Sequence, residues 1–102
     1  MKKVFSLEDV REAVASITAR SLNTDKNVIY DGITSGSKKR FIDYGADDLD
    51  AVEIILLIEK KFGVSVLEEL ERENRGNRSS DSRVEIEHVS DLVFELTSKR
   101  RS

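Results

Sequence analysis

The segment from Asp47 to Gly63 constrains the fold more than any other part of this 102-residue chain. It opens with three aspartates within four residues, continues as an almost unbroken apolar stretch and ends in Lys60-Lys61-Phe62-Gly63. Aspartate is a favoured N-cap, first-turn carboxylates suit the positive end of the helix dipole, and glycine commonly ends helices. The pattern predicts a helix over residues 48–62. Because its middle is apolar nearly all round, we expect it to be the most buried element.

Apolar residues at spacings of three and four predict two more amphipathic helices, over residues 7–22 and 88–98. Ser6 can cap the first of these, with Asp9 completing a weak variant of the capping box. Residues 67–72 can add one or two helical turns. The side chains expected in the core are Val10, Val14, Val52, Ile55, Phe62, Val89, Leu92 and Leu96.

The connections between these helices are rich in polar and turn-forming residues. Residues 23–46 contain many Asn, Asp, Gly and Ser residues that break any helical period, so they predict a long loop pinned to the core in places. Residues 74–83 lack apolar side chains and predict a mobile loop, and the basic tail 99–102 is expected to fray. The predicted fold is therefore all-α: an antiparallel bundle of three main helices plus one short helix, with a long first loop, in one domain over 1–102.

Composition excludes several classes of site. The chain has no cysteine and one histidine, which rules out disulfides, thiolate zinc sites, a cysteine nucleophile and a histidine-based metal cluster. No apolar run approaches the roughly 20 residues that cross a bilayer, and no apolar stretch follows Met1-Lys2-Lys3 as in a secretory signal. We therefore expect a cytoplasmic protein that does not bind membranes.

Charge is concentrated in the centre of the chain. Residues 47–73 hold nine acidic and three basic side chains, whereas the whole chain has a net charge of −3. This block either presents an acidic face to a basic partner or merely solvates helices. A net acidic chain with no tryptophan does not favour nucleic-acid binding.

Other polar residues give weaker signals. His88, Ser90 and Asp91 stand near the start of the last predicted helix, where sequence neighbours do not place a base behind a nucleophile. The glutamates of residues 68–73 lack the ligand spacing and central glycine of a calcium loop. We therefore predict no catalytic residue and no metal site.

One octet carries a family resemblance: Asp43-Tyr44-Gly45-Ala46-Asp47-Asp48-Leu49-Asp50. It is followed by Ala51-Val52-Glu53-Ile54 and then by Glu59-Lys60-Lys61-Phe62-Gly63-Val64. Together these segments resemble the acyl carrier protein family. That family's signature is D-x-G-x-D-S-L-D at the start of a helix that ends in phenylalanine. The resemblance is strong over residues 41–66 and extends to the flanking helices by position and pattern. It implies a small four-helix bundle that is not an enzyme and carries acyl groups on 4′-phosphopantetheine for fatty acid or polyketide synthesis.

Position 48 departs from that signature, because aspartate stands where the family attaches the arm to serine. A carboxylate attacking the same phosphate would give a labile mixed anhydride, and its charge would repel the pyrophosphate of coenzyme A. The chain is therefore expected not to carry the arm. Either it is a natural carrier relative that kept the docking helix, or the serine was replaced artificially. Aspartate near a helix start also stabilises that helix without any further purpose.

The resemblance also implies a docking face. Asp47, Leu49, Asp50 and Glu53 match the recognition helix that meets basic docking surfaces of acyl-processing enzymes and of phosphopantetheinyl transferase. The chain departs from the family pattern at Lys60-Lys61 and in the extended connections 31–40 and 74–83. These departures call the family's usual set of partners into question. The alternative is a non-acylated interaction module that docks onto or regulates a partner enzyme. In either case a monomer is expected.

Overall fold

The computed structural model describes residues 5–74 and 81–99, and within these it contains five α-helices. The helices are α1 (Leu7–Leu22), α2 (Lys26–Thr34), α3 (Asp48–Phe62), α4 (Val66–Asn74) and α5 (Ile86–Lys99). Two short 3-10 turns, Phe41–Tyr44 and Asp81–Arg83, precede α3 and α5 respectively. The all-α bundle predicted from the sequence is therefore confirmed.

The caps predicted for α1 and α3 are present. Ser6 Oγ accepts a hydrogen bond from the Asp9 backbone N–H at 3.0 Å, and Asp9 Oδ2 accepts one from the Ser6 N–H at 3.2 Å. At the end of α3, Gly63 adopts φ 68°, and its N–H donates to the Glu59 carbonyl at 2.7 Å. Reciprocal caps and a left-handed glycine satisfy backbone groups that the helix itself leaves without partners.

The prediction of one long loop over residues 23–46 was wrong, because α2 lies inside it. Asp25 caps this helix by accepting a hydrogen bond from the Asn27 N–H at 2.8 Å. Ile29 and Ile33, one turn apart, are 0% and 2% exposed and bury one face of α2 in the core. Burial of these two isoleucines outweighs the low helix propensity of the polar and glycine residues beside them.

The connection between α4 and α5 also contains ordered structure. Residues 81–83 of the predicted mobile loop form the second 3-10 turn, and residue 74 ends α4. Residues 75–80 of that predicted loop and residues 100–102 of the predicted frayed tail lie outside the described residues. The last helix begins at Ile86, two residues before its predicted start.

The core lies where α1, α3 and α5 pack together, with α2 on α1 and α4 against α3 and α5. Six of the eight predicted core side chains are buried, whereas Val52 and Leu96 are half-buried. The buried side chains of α3 are Ala51, Ile54, Ile55, Ile58 and Phe62.

The apolar middle of α3, from which we expected the most buried element, is covered on one side only. Leu49, Leu56 and Leu57 are 66%, 47% and 49% exposed. Neighbouring helices cover only one side of α3, so part of its apolar middle is left at the surface.

An antiparallel bridge joins the chain before α3 to the chain before α5. Arg40 pairs with Glu85, the Phe41 N–H donates to the Val84 carbonyl at 3.3 Å, and the Ile86 N–H donates to the Lys39 carbonyl at 3.0 Å. This pairing holds the second 3-10 turn close to the start of α3. Within the described ranges, no helix combines the length and the apolar character that crossing a membrane requires.

Candidate functional site

The first 3-10 turn and Gly45 fix how the chain approaches α3. Phe41 is fully buried and anchors the turn to the core. Gly45 takes φ 89°, a left-handed conformation that glycine adopts without strain, and donates its N–H to the Ile42 carbonyl at 3.0 Å. Ala46 then donates to the Phe41 carbonyl at 3.2 Å and is itself buried. These contacts leave the next residue, Asp47, in position to cap α3.

Asp43 stabilises the start of this turn. Its Oδ2 accepts hydrogen bonds from the Arg40 backbone N–H at 2.7 Å and from Arg40 Nε at 3.4 Å. The backbone bond, followed by the side-chain bond, lowers the pKa of Asp43 below its ordinary value of 3.8. Asp43 is therefore a structural cap, since its acceptor oxygen is already bound within the turn.

Tyr44 packs closely against α2. Its hydroxyl lies where a Cβ at Gly32 would stand, so this approach requires glycine at position 32. Burial raises the pKa of Tyr44, and the adjacent Asp43 carboxylate raises it further. The Tyr44 ring thus fixes the turn before α3 against α2.

Asp47 and Asp50 form a capping box at the start of α3. Asp47 Oδ1 accepts a hydrogen bond from the Asp50 N–H at 2.8 Å, and Asp50 Oδ2 accepts one from the Asp47 N–H at 3.2 Å. Both carboxylates therefore have a structural role, and Asp50 is half-buried. These two carboxylates also contribute negative charge at this end of the helix.

Asp48 occupies the first position of α3, as the sequence predicted, and is exposed. Its Oδ1 accepts a hydrogen bond from the backbone N–H of Ser82 at 3.0 Å, across 34 residues of sequence. Ser82 belongs to the second 3-10 turn and is 4% exposed. The Asp48 carboxylate therefore connects the start of α3 to the segment that leads into α5.

The remaining predicted docking residues lie along the outer side of α3. Leu49 is the most exposed large apolar side chain among the residues described, and Glu53 is exposed one turn further on. The structure therefore brings Asp47, Asp48, Leu49, Asp50 and Glu53 together around the first two turns of one helix.

The single histidine takes part in a contact between helices. His88 Nε2 lies 2.8 Å from Glu73 Oε1, which joins α5 to α4. Ser90 is fully buried and donates its hydroxyl to the Ile86 carbonyl at 3.2 Å. These partners do not make His88 a base for Ser90. Among the described residues there is also no group of three or more acidic, histidine or cysteine side chains that could hold a metal ion.

Two contacts between different elements are not predicted by the sequence patterns. One is the hydrogen bond between Asp48 and Ser82. The other places Glu59 Oε2, from α3, 2.8 Å from the backbone N–H of Leu67, so that it caps the first turn of α4. In each, a side-chain oxygen accepts a hydrogen bond from a backbone N–H of another element, and periodicity within one helix carries no signal of such a pairing.

The sequence of this chain is similar to a known protein family and to individual known proteins. A sequence profile of the family described as "Phosphopantetheine attachment site" matches residues 8–70. The chain is 32% identical over 93 residues to the acyl carrier proteins of Rickettsia canadensis and Rickettsia conorii, covering 89% of this chain and 87% of each relative. It is 27% identical over 96 residues to the chloroplastic acyl carrier protein of Brassica napus, covering 92% of this chain. The match spans 60% of that Brassica protein. No solved structure matches the chain at a significant level.

Proposed function

Because the chain belongs to the acyl carrier protein family, we propose that it is a carrier-fold domain that docks with acyl-processing enzymes without holding the family's prosthetic arm. The family consists of carriers rather than catalysts, and 4′-phosphopantetheine is the group that it attaches. The observation that carries the proposal is the Asp48 carboxylate at the first position of α3, hydrogen-bonded to Ser82.

The first turn of α3 does not fit covalent attachment of phosphopantetheine. Its side chains are Asp48, Leu49, Asp50 and Ala51, and the N-cap before them is Asp47, so this end of the helix offers no hydroxyl oxygen for a phosphodiester. A carboxylate in that place would form a mixed anhydride, and two unit charges about 4 Å apart repel by roughly 1 kcal/mol in bulk water and roughly 4 kcal/mol near a protein surface. Ser82 is close to Asp48 in space, but it is 4% exposed and so does not offer a substitute hydroxyl.

The same turn retains features that suit docking onto a basic surface. Asp47 and Asp50 are held in place by the capping box, which fixes their charges relative to the helix axis. Leu49 projects as an apolar contact beside them, with 66% of its surface exposed. Complementary charge directs encounter and orientation, while an exposed leucine supplies area that becomes buried on binding. We therefore assign docking to Asp47, Leu49, Asp50 and Glu53.

The test is the intact mass of the protein after incubation with a phosphopantetheinyl transferase and coenzyme A. The unaltered chain is expected to keep its mass, and Asp48→Ser is expected to gain one phosphopantetheine. Asp48→Ala serves as the matched control, since it removes the carboxylate without adding a hydroxyl. Attachment to the unaltered chain would refute the arm-free proposal. If Asp48→Ser also remains unmodified, docking onto the transferase is refuted, and the alternative of a module for a different partner enzyme is favoured.

Docking itself is tested in the Asp48→Ser background. Glu53→Lys reverses one charge of the assigned face, so it should raise the KM of transfer several-fold with a smaller change in kcat. Asp91→Lys, which reverses an exposed charge on α5, is the matched control and should leave both constants unchanged. Equal effects of the two reversals would show that net charge matters and that the face of α3 does not.

A further inference from the structure

A second surface of α3 lies beyond its first turns. Glu53, Leu56, Leu57 and Lys60 occupy positions i, i+3, i+4 and i+7 of the helix and are all exposed. This spacing places them in one stripe along the helix. We name these four residues the ELLK stripe. It has an acid at one end, two leucines about half exposed in the middle, and a lysine at the other end.

The ELLK stripe has a charged side chain at each end and two leucines between them. Reversing its direction exchanges the acidic end with the basic end and leaves the spacing unchanged. When two such helices pack antiparallel about a two-fold axis between Leu56 and Leu57, the leucines of one copy face those of the other. Glu53 of each copy then faces Lys60 of the second copy, at both ends of the contact. A two-fold interface requires this self-complementarity, because each residue must match its counterpart on the same surface.

From this pattern we propose that the ELLK stripe is the contact through which two copies of this chain associate. Leu56 and Leu57 are 47% and 49% exposed on a helix whose other aliphatic residues, Leu49 apart, are buried or half-buried. Covering them removes apolar surface from water at both copies. An acidic or a basic partner would match only one end of the stripe, whereas a second copy matches both ends.

The size of the contact limits its strength. One helix face presents less than the roughly 800 Å² per partner that a standard stable interface buries. The association is therefore weak, with a dissociation constant on the order of 0.1–1 mM. Glu53 belongs to both this stripe and the assigned docking face, so self-association and docking onto a basic enzyme surface exclude each other. High local concentration would thus store the protein in an undocked form.

Charge exchange provides the test, measured by sedimentation equilibrium at protein concentrations from about 10 μM to about 1 mM. Glu53→Lys alone and Lys60→Glu alone each place like charges at both ends of the contact, so each should weaken association roughly tenfold. The double variant Glu53→Lys with Lys60→Glu restores opposite charges at both ends and should associate within about threefold of the unaltered chain. An equimolar mixture of the two single variants should likewise recover association.

The controls separate this proposal from the docking proposal. Asp91→Lys changes net charge as Glu53→Lys does, lies on α5, and should leave self-association unchanged. In the Asp48→Ser background, the double variant should still dock poorly with the transferase, because the enzyme surface has not been exchanged. An unaltered chain that remains monomeric at about 1 mM would overturn the proposal. So would a double variant or a mixture that associates no better than the single variants.

Discussion

Removing the carboxylate of Asp48 should destabilise the fold, and the structure assigns a magnitude to two of its contributions. The first is the hydrogen bond that Oδ1 accepts from the Ser82 N–H at 3.0 Å. Bonds to a charged group contribute roughly 1.5–3 kcal/mol, and we take the lower end because Asp48 is exposed. The second is the interaction of a first-turn carboxylate with the helix dipole, about 0.3–1 kcal/mol. Asp48→Ala should therefore cost about 2 kcal/mol.

Asp48→Asn separates the two contributions, because its amide oxygen can still accept a hydrogen bond from Ser82 while the charge is lost. The difference in stability between the alanine and asparagine variants then measures the hydrogen bond. Asp48→Asn should cost about 0.5–1 kcal/mol, which leaves about 1 kcal/mol or more between the alanine and asparagine variants. For a domain of this size, 1 kcal/mol corresponds to roughly 4–8 °C in Tm. The assay is urea unfolding with equal m values for the three proteins, supported by thermal unfolding.

The control for this series is Glu53→Ala, which removes an exposed carboxylate of the same helix. Glu53 has no hydrogen bond or ion pair within the described part of the chain, so the change should stay within about 0.5 kcal/mol. Asp48→Ala and Asp48→Asn with equal stability would refute the role of the Ser82 bond. Asp48→Ser should resemble the alanine variant, because its hydroxyl is one bond shorter than the carboxyl. A chain made competent for attachment would then be less stable than the unaltered one.

Two further predictions concern the segment before α3. Gly32→Ala should lower stability, because its Cβ would overlap the Tyr44 hydroxyl. In a Tyr44→Phe background the same change should raise stability by about 0.5–1 kcal/mol through helix propensity. A double-mutant cycle in urea measures both effects, and a gain in both backgrounds would contradict the contact. The lowered pKa of Asp43 means that its stabilising contribution is complete above the unfolded-state pKa and is lost as pH falls through the folded-state pKa. The stability advantage of the unaltered chain over Asp43→Asn should therefore shrink from about pH 5 downwards, which acid-to-neutral urea titrations would detect, and a constant difference would contradict it.

Helix caps and amphipathic helices could be predicted because the residues that form each pattern lie within a few positions of one another. The predicted boundaries of α1 and α3 agree with the structure, as do the caps at Ser6, Asp47 and Gly63. These predictions depend only on local backbone hydrogen bonds and on the spacing of apolar side chains. The octet around Asp48 also indicated the family, which the sequence comparisons then showed.

The prediction failed where tertiary burial opposes local propensity. Residues 26–34 contain Asn27, Asp31 and Gly32, which favour turns, yet they form α2 because Ile29 and Ile33 are buried in the core. Local propensity is worth at most about 1 kcal/mol per residue for ordinary side chains, whereas burying an isoleucine contributes about 1.5–3 kcal/mol. A single sequence does not reveal which apolar residues of a polar segment will find the core.

Local patterns in the sequence predicted α1, α3 and α5, the caps of α1 and α3, and the carboxylate at the start of α3, because each of these depends on neighbours along the chain. Two features are visible only in the folded chain: Asp48 accepts a hydrogen bond from Ser82, and one face of α3 stays exposed as the ELLK stripe. Both depend on which segments pack against α3, and packing is set by the fold as a whole. The same carboxylate that offers no hydroxyl for a prosthetic arm therefore also joins two distant parts of the chain.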